Sequence, residues 1–114
     1  MVDLTTSTQI DLADLANAGL ATKGDVIAAE FQSGGRGRLD RKFEAPAGSA
    51  LLFSIYITPK RSRSHWGFLS HLAALCMSEI ISNDLNIAVS LKWPNDILIA
   101  DKKVCGLIAQ ATAD

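Results

Sequence analysis

Residues 49–58, SALLFSIYIT, are the stretch with the fewest folding options in the chain. They are nearly all apolar, β-branched or aromatic, and Pro59 closes the run by removing a backbone donor. Such a run predicts a strand, and its lack of polar alternation predicts one buried on both faces. A strand of that kind needs neighbouring strands beside it and helices over it, and the rest of the chain has both periods. Residues 8–18, TQIDLADLANA, set Ile10, Leu12, Leu15 and Ala16 at helical spacings, with Gly19 as the stop. Residues 65–82 set Leu69, Leu72, Cys76 and Ile80 three or four apart, with Trp66, Phe68 and Leu75 widening the stripe. This predicts a core-facing helix with Ser64 as its cap. Residues 25–32, DVIAAEFQ, and 88–93, AVSLKW, predict two more strands. Residues 96–110, DILIADKKVCGLIAQ, predict a hairpin turning near Asp101 and Lys102. Strands and helices mixed in 114 residues imply the α+β class, an α/β-type mixed sheet packed with helices in one small domain.

Charge narrows the range of partners. Eleven Lys and Arg against twelve Asp and Glu leave a net charge of −1, so no global field draws in nucleic acid or a membrane surface. No apolar run reaches the ~18–20 residues of a membrane span. The N-terminus, MVDLTTSTQIDLADL, lacks the basic start and apolar centre of a signal peptide, so cytoplasmic residence is the expectation. The two cysteines, Cys76 and Cys105, make no CxxC pair and read as small buried hydrophobes. His65 and His71 are six positions apart, point to opposite sides of a helix and share no metal; they read as surface or helix-end residues.

Anion chemistry must therefore come from a local cluster, and SGGRGRLDRK, residues 33–42, is that cluster. Glycines let backbone N–H groups approach and cup an anion, and arginines add planar donors suited to phosphate or carboxylate. A solvated turn and a folded anion-binding loop both account for it; its place between two strong strands favours the loop. The Walker pattern is absent, because no Gly-Lys-Ser/Thr closes the run. In LKWPNDILI, residues 91–99, Lys92, Asn95 and Asp96 surround the rigid Trp93–Pro94 step, as a packed turn or as ligand contacts. In DKKVCGLIA, residues 101–109, Lys103 precedes Gly106 by three positions, and a strand glycine often marks close approach of a ligand or another backbone. Lys103 is either a ligand contact or the solvated residue of an alternating strand. In TSTQ, residues 6–9, the hydroxyls serve as caps or as partners of a polar ligand at a helix start.

Together these stretches (TSTQ, EFQSGGRGRLDRKF, KWPNDILI and KKVCGLIAQ, in this order) resemble the catalytic domain of biotin–protein ligases from about Thr6 to Gln110. The lipoate ligases share the fold, but the GRGR and KWPND pair is similar to the biotin branch. The resemblance implies activation of biotin by ATP to biotinyl-5′-AMP, then transfer to a lysine of a biotin carboxyl carrier protein, with Mg2+ accompanying the nucleotide. It implies biotin contacts at Ser7, Thr8, Gln9, Gln32, Gly35, Arg36, Gly37, Arg38 and Lys103. It implies nucleotide or adenylate contacts at Arg36, Arg38, Arg41, Lys92, Trp93, Asn95 and Asp96. Lys103 and Arg38 are the implied catalytic residues; no protein metal site is implied. Departures from the family pattern are Gln9 for a commoner Asn, Asp40 for a frequent Gly, and Phe43 for a frequent Trp.

The family's catalytic domain runs well past the K-x-x-G strand, so the expectation is a partial catalytic domain over 1–114. Neither the N-terminal DNA-binding domain nor the C-terminal small β-barrel of family members is expected within it. Homodimerisation is one expected way of covering its apolar edges. The competing expectations are a non-catalytic biotin- or adenylate-binding fragment, one subunit of a split ligase, a lipoate-ligase-like activity and a nucleic-acid-binding module.

Overall fold

The computed structural model describes residues 1–112. The described residues divide into two compact units, Met1–Thr58 with Ala111 and Thr112, and Pro59–Gln110.

The first unit is a three-stranded sheet with one helix. Its strands are β1 (Val2–Thr5), β2 (Val26–Gln32) and β3 (Leu52–Ile55), in the order β1-β2-β3. β1 and β2 are parallel, with Leu4 opposite Phe31, and helix α1 (Thr8–Asn17) is the crossover between them. β3 returns antiparallel to β2, with Ala29 opposite Leu52. β1 has no counterpart in the sequence reading; its four residues, VDLT, are too short to display a period. Ser7 caps α1: its backbone is extended and its hydroxyl accepts the Gln9 N–H at 3.2 Å. Gly19 ends the helix as expected. With φ +74° it lets its own N–H reach Ala16 and the Leu20 N–H reach Leu15, which satisfies two helix-end carbonyls.

β3 corrects one expectation. Leu52 is buried, but Phe53 and Ile55 are 41% and 52% exposed. The strand therefore alternates, because α1 covers only one face of this sheet, packing Leu12 where Ala29 and Leu52 are also buried.

The second unit is an antiparallel meander with one long helix. A 3-10 turn (Arg63–Phe68) leads into α2 (Leu69–Asp84), followed by β4 (Ser90–Lys92), β5 (Asp96–Ile99) and β6 (Lys102–Gly106). The β5–β6 hairpin turns at Ala100 and Asp101, both at positive φ, which matches the right-handed twist of the strands. Ile97 at the centre of β5 is fully buried. The register slips between Ile97, opposite Cys105, and Leu98, opposite Lys103, so Val104 is an extra residue on β6.

Three expectations fail in this unit. Ser64 is not a cap: it lies inside the 3-10 turn, its hydroxyl bonded to that of Ser62, and Phe68 stands at the N-cap of α2. The face of α2 turned inward carries small residues, buried Ala74 and Ser78, rather than the Leu72–Cys76–Ile80 stripe. Leu72 and Ile80 are 57% and 50% exposed, and Cys76 is exposed rather than buried. Short strands offer α2 a narrow contact, which close-packing small side chains fit and bulky ones do not.

Candidate functional site

Each unit carries its own cluster of motif residues. In the first, the helix start and the end of β2 meet. The Gln32 side-chain oxygen accepts from the Thr8 backbone N–H at 2.8 Å and from the Thr8 hydroxyl at 3.0 Å. One of the orphan N–H groups of α1 is thus satisfied by a side chain from the sheet. The Thr8 hydroxyl also lies 2.8 Å from that of Ser54 on β3. Since the Thr8 proton goes to Gln32, Ser54 donates to Thr8. Ser7 and Thr8 are both buried. TSTQ therefore supplies a cap through Ser7 and a polar network through Thr8; Gln9, half-buried, is the second helical residue. Ser54 was missed by the sequence reading, because a lone serine in an apolar run has no local signal. Its placement opposite Ile27 in the β2–β3 register is what brings it to Thr8.

The arginine loop leaves β2 immediately after Gln32 and is held by its own backbone. The Phe43 N–H donates to the Gly35 carbonyl at 2.9 Å and the Gly37 N–H to the Arg41 carbonyl at 2.7 Å, with Arg36 bridged to Lys42. Two glycines are forced by close approach. A side-chain carbon on Gly34 would stand 2.7 Å from the Thr6 methyl, and one on Gly35 would collide with the Phe43 carbonyl oxygen and come within 3.1 Å of the Gln32 amide nitrogen. Gly35 is thus buried close beside the Gln32 side chain that bonds to Thr8. Arg36, Arg38 and Arg41 are exposed, and a cleft of about 230 Å3 is lined by Ser33, Gly34, Gly35, Arg36, Arg41, Lys42, Phe43 and Glu44. A hollow of about 290 Å3 on α2, lined by Cys76, Glu79, Ile80, Asn83 and Asp84, contains no motif residue.

The second unit holds the other two motifs on adjacent strands. Lys92 ends β4 and Asp96 opens β5; they are register partners, with the Trp93–Pro94–Asn95 turn between them. Trp93 is 77% exposed, yet its ring lies on that of His71 in the first turn of α2, centroids 4.1 Å apart. His71 is therefore a helix-end residue but not a surface one: both its ring nitrogens are buried. Asn95 is buried, its amide donating to the Leu107 carbonyl while the Leu107 N–H donates to the Asn95 carbonyl at 3.3 Å. The Lys103 ammonium stands 3.2 Å from the Asp96 carboxylate. Burial pushes the neighbouring Cys105 thiol up from its ordinary value; the Lys103 charge opposes this shift and that of Asp96 adds to it. Among the described residues no group of three His, Cys, Asp or Glu is placed to hold a metal, and no helix is long and apolar enough to cross a membrane.

Residues 1–113 match the family described as the biotin/lipoate A/B protein ligase family. The bifunctional ligase/repressor BirA of Bacillus subtilis is 33% identical over 112 residues, 98% of this chain and 34% of that protein. A biotin–[acetyl-CoA-carboxylase] ligase of Mycobacterium tuberculosis is 32% identical over 117 residues, 96% of this chain and 43% of its own length. Among solved structures, the biotin protein ligase from Aquifex aeolicus in complex with biotin and ATP superposes with a TM-score of 0.83 at 33% identity, covering 99% of this chain and 46% of that one. The chain thus spans between a third and a half of the length of these relatives.

Proposed function

We propose that this chain, which belongs to the biotin/lipoate A/B protein ligase family, takes part in ATP-dependent attachment of biotin to a carrier protein. The observation that carries the reading is the coexistence, within the first unit, of a part-buried neutral hydrogen-bonding network at Thr8, Gln32 and Ser54 with exposed cations at Arg36, Arg38 and Arg41. Biotin needs both: a neutral ureido ring at one end and a carboxylate at the other.

In the proposed reaction a biotin carboxylate oxygen attacks the α-phosphorus of ATP, which arrives with Mg2+ as part of the substrate. The bond from that phosphorus to the β-phosphate bridging oxygen breaks, and pyrophosphate leaves. The ε-amine of a lysine on a biotin carboxyl carrier protein then attacks the mixed anhydride, forming the amide, giving up a proton and releasing AMP. Ser7, Thr8, Gln9 and Gln32 receive the ureido ring. Arg36 and Arg38, on the glycine-bearing loop, balance the phosphate charge with Arg41, and Gly35 and Gly37 let that backbone close on the adenylate. Lys103 stabilises charge at the carboxylate, while Lys92, Trp93, Asn95 and Asp96 serve the nucleotide. Such catalysis is mainly orientation and charge stabilisation, which demands cations held in fixed positions more than acid–base groups. Because ATP is consumed, the cytoplasm is the proposed setting.

The test is biotin-dependent exchange of pyrophosphate into ATP. Exchange is expected, and Lys103→Ala is expected to lower it by about a hundredfold, the effect of removing one donor to a developing oxyanion. Biotin binding without exchange would make the chain a non-catalytic binding fragment or one subunit of a split enzyme. Salt-dependent RNA binding without biotin binding would instead point to a nucleic-acid module.

A further inference from the structure

The spacing K-x-x-G is at odds with an ordinary strand. Residues three apart on a strand face opposite sides of the sheet, so Lys103 and Gly106 should not share a face. Here they do. Asp96 is the register partner of Gly106, and the Lys103 ammonium lies 3.2 Å from the Asp96 carboxylate oxygen. The slip between Ile97–Cys105 and Leu98–Lys103 is the cause: the extra residue Val104 reverses the alternation and brings Lys103 over to the face of Gly106.

The glycine then has a definite task. A side-chain carbon built on Gly106 would stand 2.9 Å from Lys103 Cε, 3.0 Å from Lys103 Nζ and 3.7 Å from Asp96 Oδ1. The end of the lysine chain occupies the space that any other residue would fill. Stability does not explain this arrangement. Glycine inside a strand weakens it, and an ion pair whose lysine is half exposed returns little through screening.

We propose that Gly106, Asp96 and the bulge at Val104 are a positioning device for Lys103. The bulge selects its face, Gly106 clears its path, and Asp96 holds the ammonium in place. Asp96 is then an internal stand-in for the carboxylate that Lys103 meets in the reaction proposed above, a last step that rests on that reading. The device itself does not depend on which ligand binds.

The experiment is competitive acetylation of the chain with acetic anhydride at one pH, read by mass spectrometry on the fragment beginning at Asp101. Lys102, adjacent and exposed, is the internal reference. In the unaltered protein Lys103 is expected to react more slowly than Lys102. Asp96→Asn, which keeps shape and removes charge, should raise the Lys103 to Lys102 ratio about threefold or more, the change expected when an exposed ion pair is lost. Gly106→Ala should raise it similarly, and the double variant should add little, because both act on one bond. Thermal unfolding checks that each variant folds; should Gly106→Ala fail to fold, Asp96→Asn alone decides. An unchanged ratio in a folded Asp96→Asn variant overturns the proposal. Adding biotin to Asp96→Asn should restore protection of Lys103, and biotin amide, which lacks the carboxylate, should not. Loss of this last effect alone would sink the carboxylate reading and leave the positioning device standing.

Discussion

At the scale of single residues, chemistry resides in groups whose neighbours have already set their options. Cys105 illustrates this beside Cys76. The first is partly buried next to an ion pair and its thiol is pushed up by desolvation, whereas the second is exposed on α2. Because the thiolate is the nucleophile, Cys76 is expected to react with a disulfide reagent near neutral pH about tenfold faster than Cys105 or more. Comparable rates would show that Cys105 is neither desolvated nor shielded. The linkage runs in one direction. A raised folded value means the folded state holds the proton more tightly, so this contribution to stability is complete below the ordinary thiol value of 9.0 and is lost as pH rises beyond it. Replacing Cys105 by Ala should therefore remove part of the alkaline decline in stability. Legibility varied at this scale. Thr8 and Gln32 were singled out from their motifs, and the structure joins them directly. Ser54 and His71 were not legible as site neighbours, because each matters through a contact distant in sequence: Ser54 with Thr8, and His71 with Trp93.

At the scale of elements, what the sequence made readable was whatever is decided locally. Helix α1 starts and stops where a serine cap and a positive-φ glycine place its ends, and both signals are adjacent residues. Which face of an element is buried is decided elsewhere, and there the reading failed twice. β3 is apolar on both faces yet covered on one, and α2 turns its alanine and serine inward and its leucines out. The arginine loop lies between these cases. Its glycines and cations were readable, but its closure onto Phe43 is a backbone hydrogen bond no residue type announces. That closure makes Gly35 the most demanding glycine of the loop. Gly35→Ala should break the Phe43–Gly35 bond, because the new carbon collides with the Phe43 carbonyl oxygen, and should cost about 1–3 kcal/mol. Gly67 meets nothing within 4 Å and is the control; its replacement by Ala should stay within about 0.5 kcal/mol. Trypsin cleavage at Arg36, Arg38 and Arg41 should accelerate in Gly35→Ala and not in Gly67→Ala. Equal cleavage and equal melting temperatures in the two variants would mean that the loop is not held by this contact.

At the scale of the whole molecule, the dominant fact is how much apolar side chain remains in water. In the first unit Phe53, Ile55 and Ile57 are 41%, 52% and 47% exposed; in the second Leu72, Leu75 and Ile80 are 57%, 46% and 50% exposed. Neither set is scattered: one follows the outer face of β3 and the residues just after it, the other a stripe along α2. Fully burying a side chain of this size is worth ~1.5–3 kcal/mol, so covering either stripe involves free energy comparable to the ~5–15 kcal/mol that holds a domain folded. Contiguous exposed stripes also attract other molecules, and the unpaired edges of β1, β3, β4 and β6 supply hydrogen-bond partners to any strand that approaches. The 12.2 kDa chain should therefore self-associate in solution at concentrations above roughly 10 µM and melt broadly. Substituting Leu72 and Ile80 by Glu should reduce association without lowering the melting temperature, since both side chains already face water. Sedimentation and calorimetry decide the matter. A monomer at all accessible concentrations, with one cooperative transition above about 55 °C, would show that the two small buried clusters suffice on their own. The exposed stripes would then be surface the fold tolerates rather than surface that drives association.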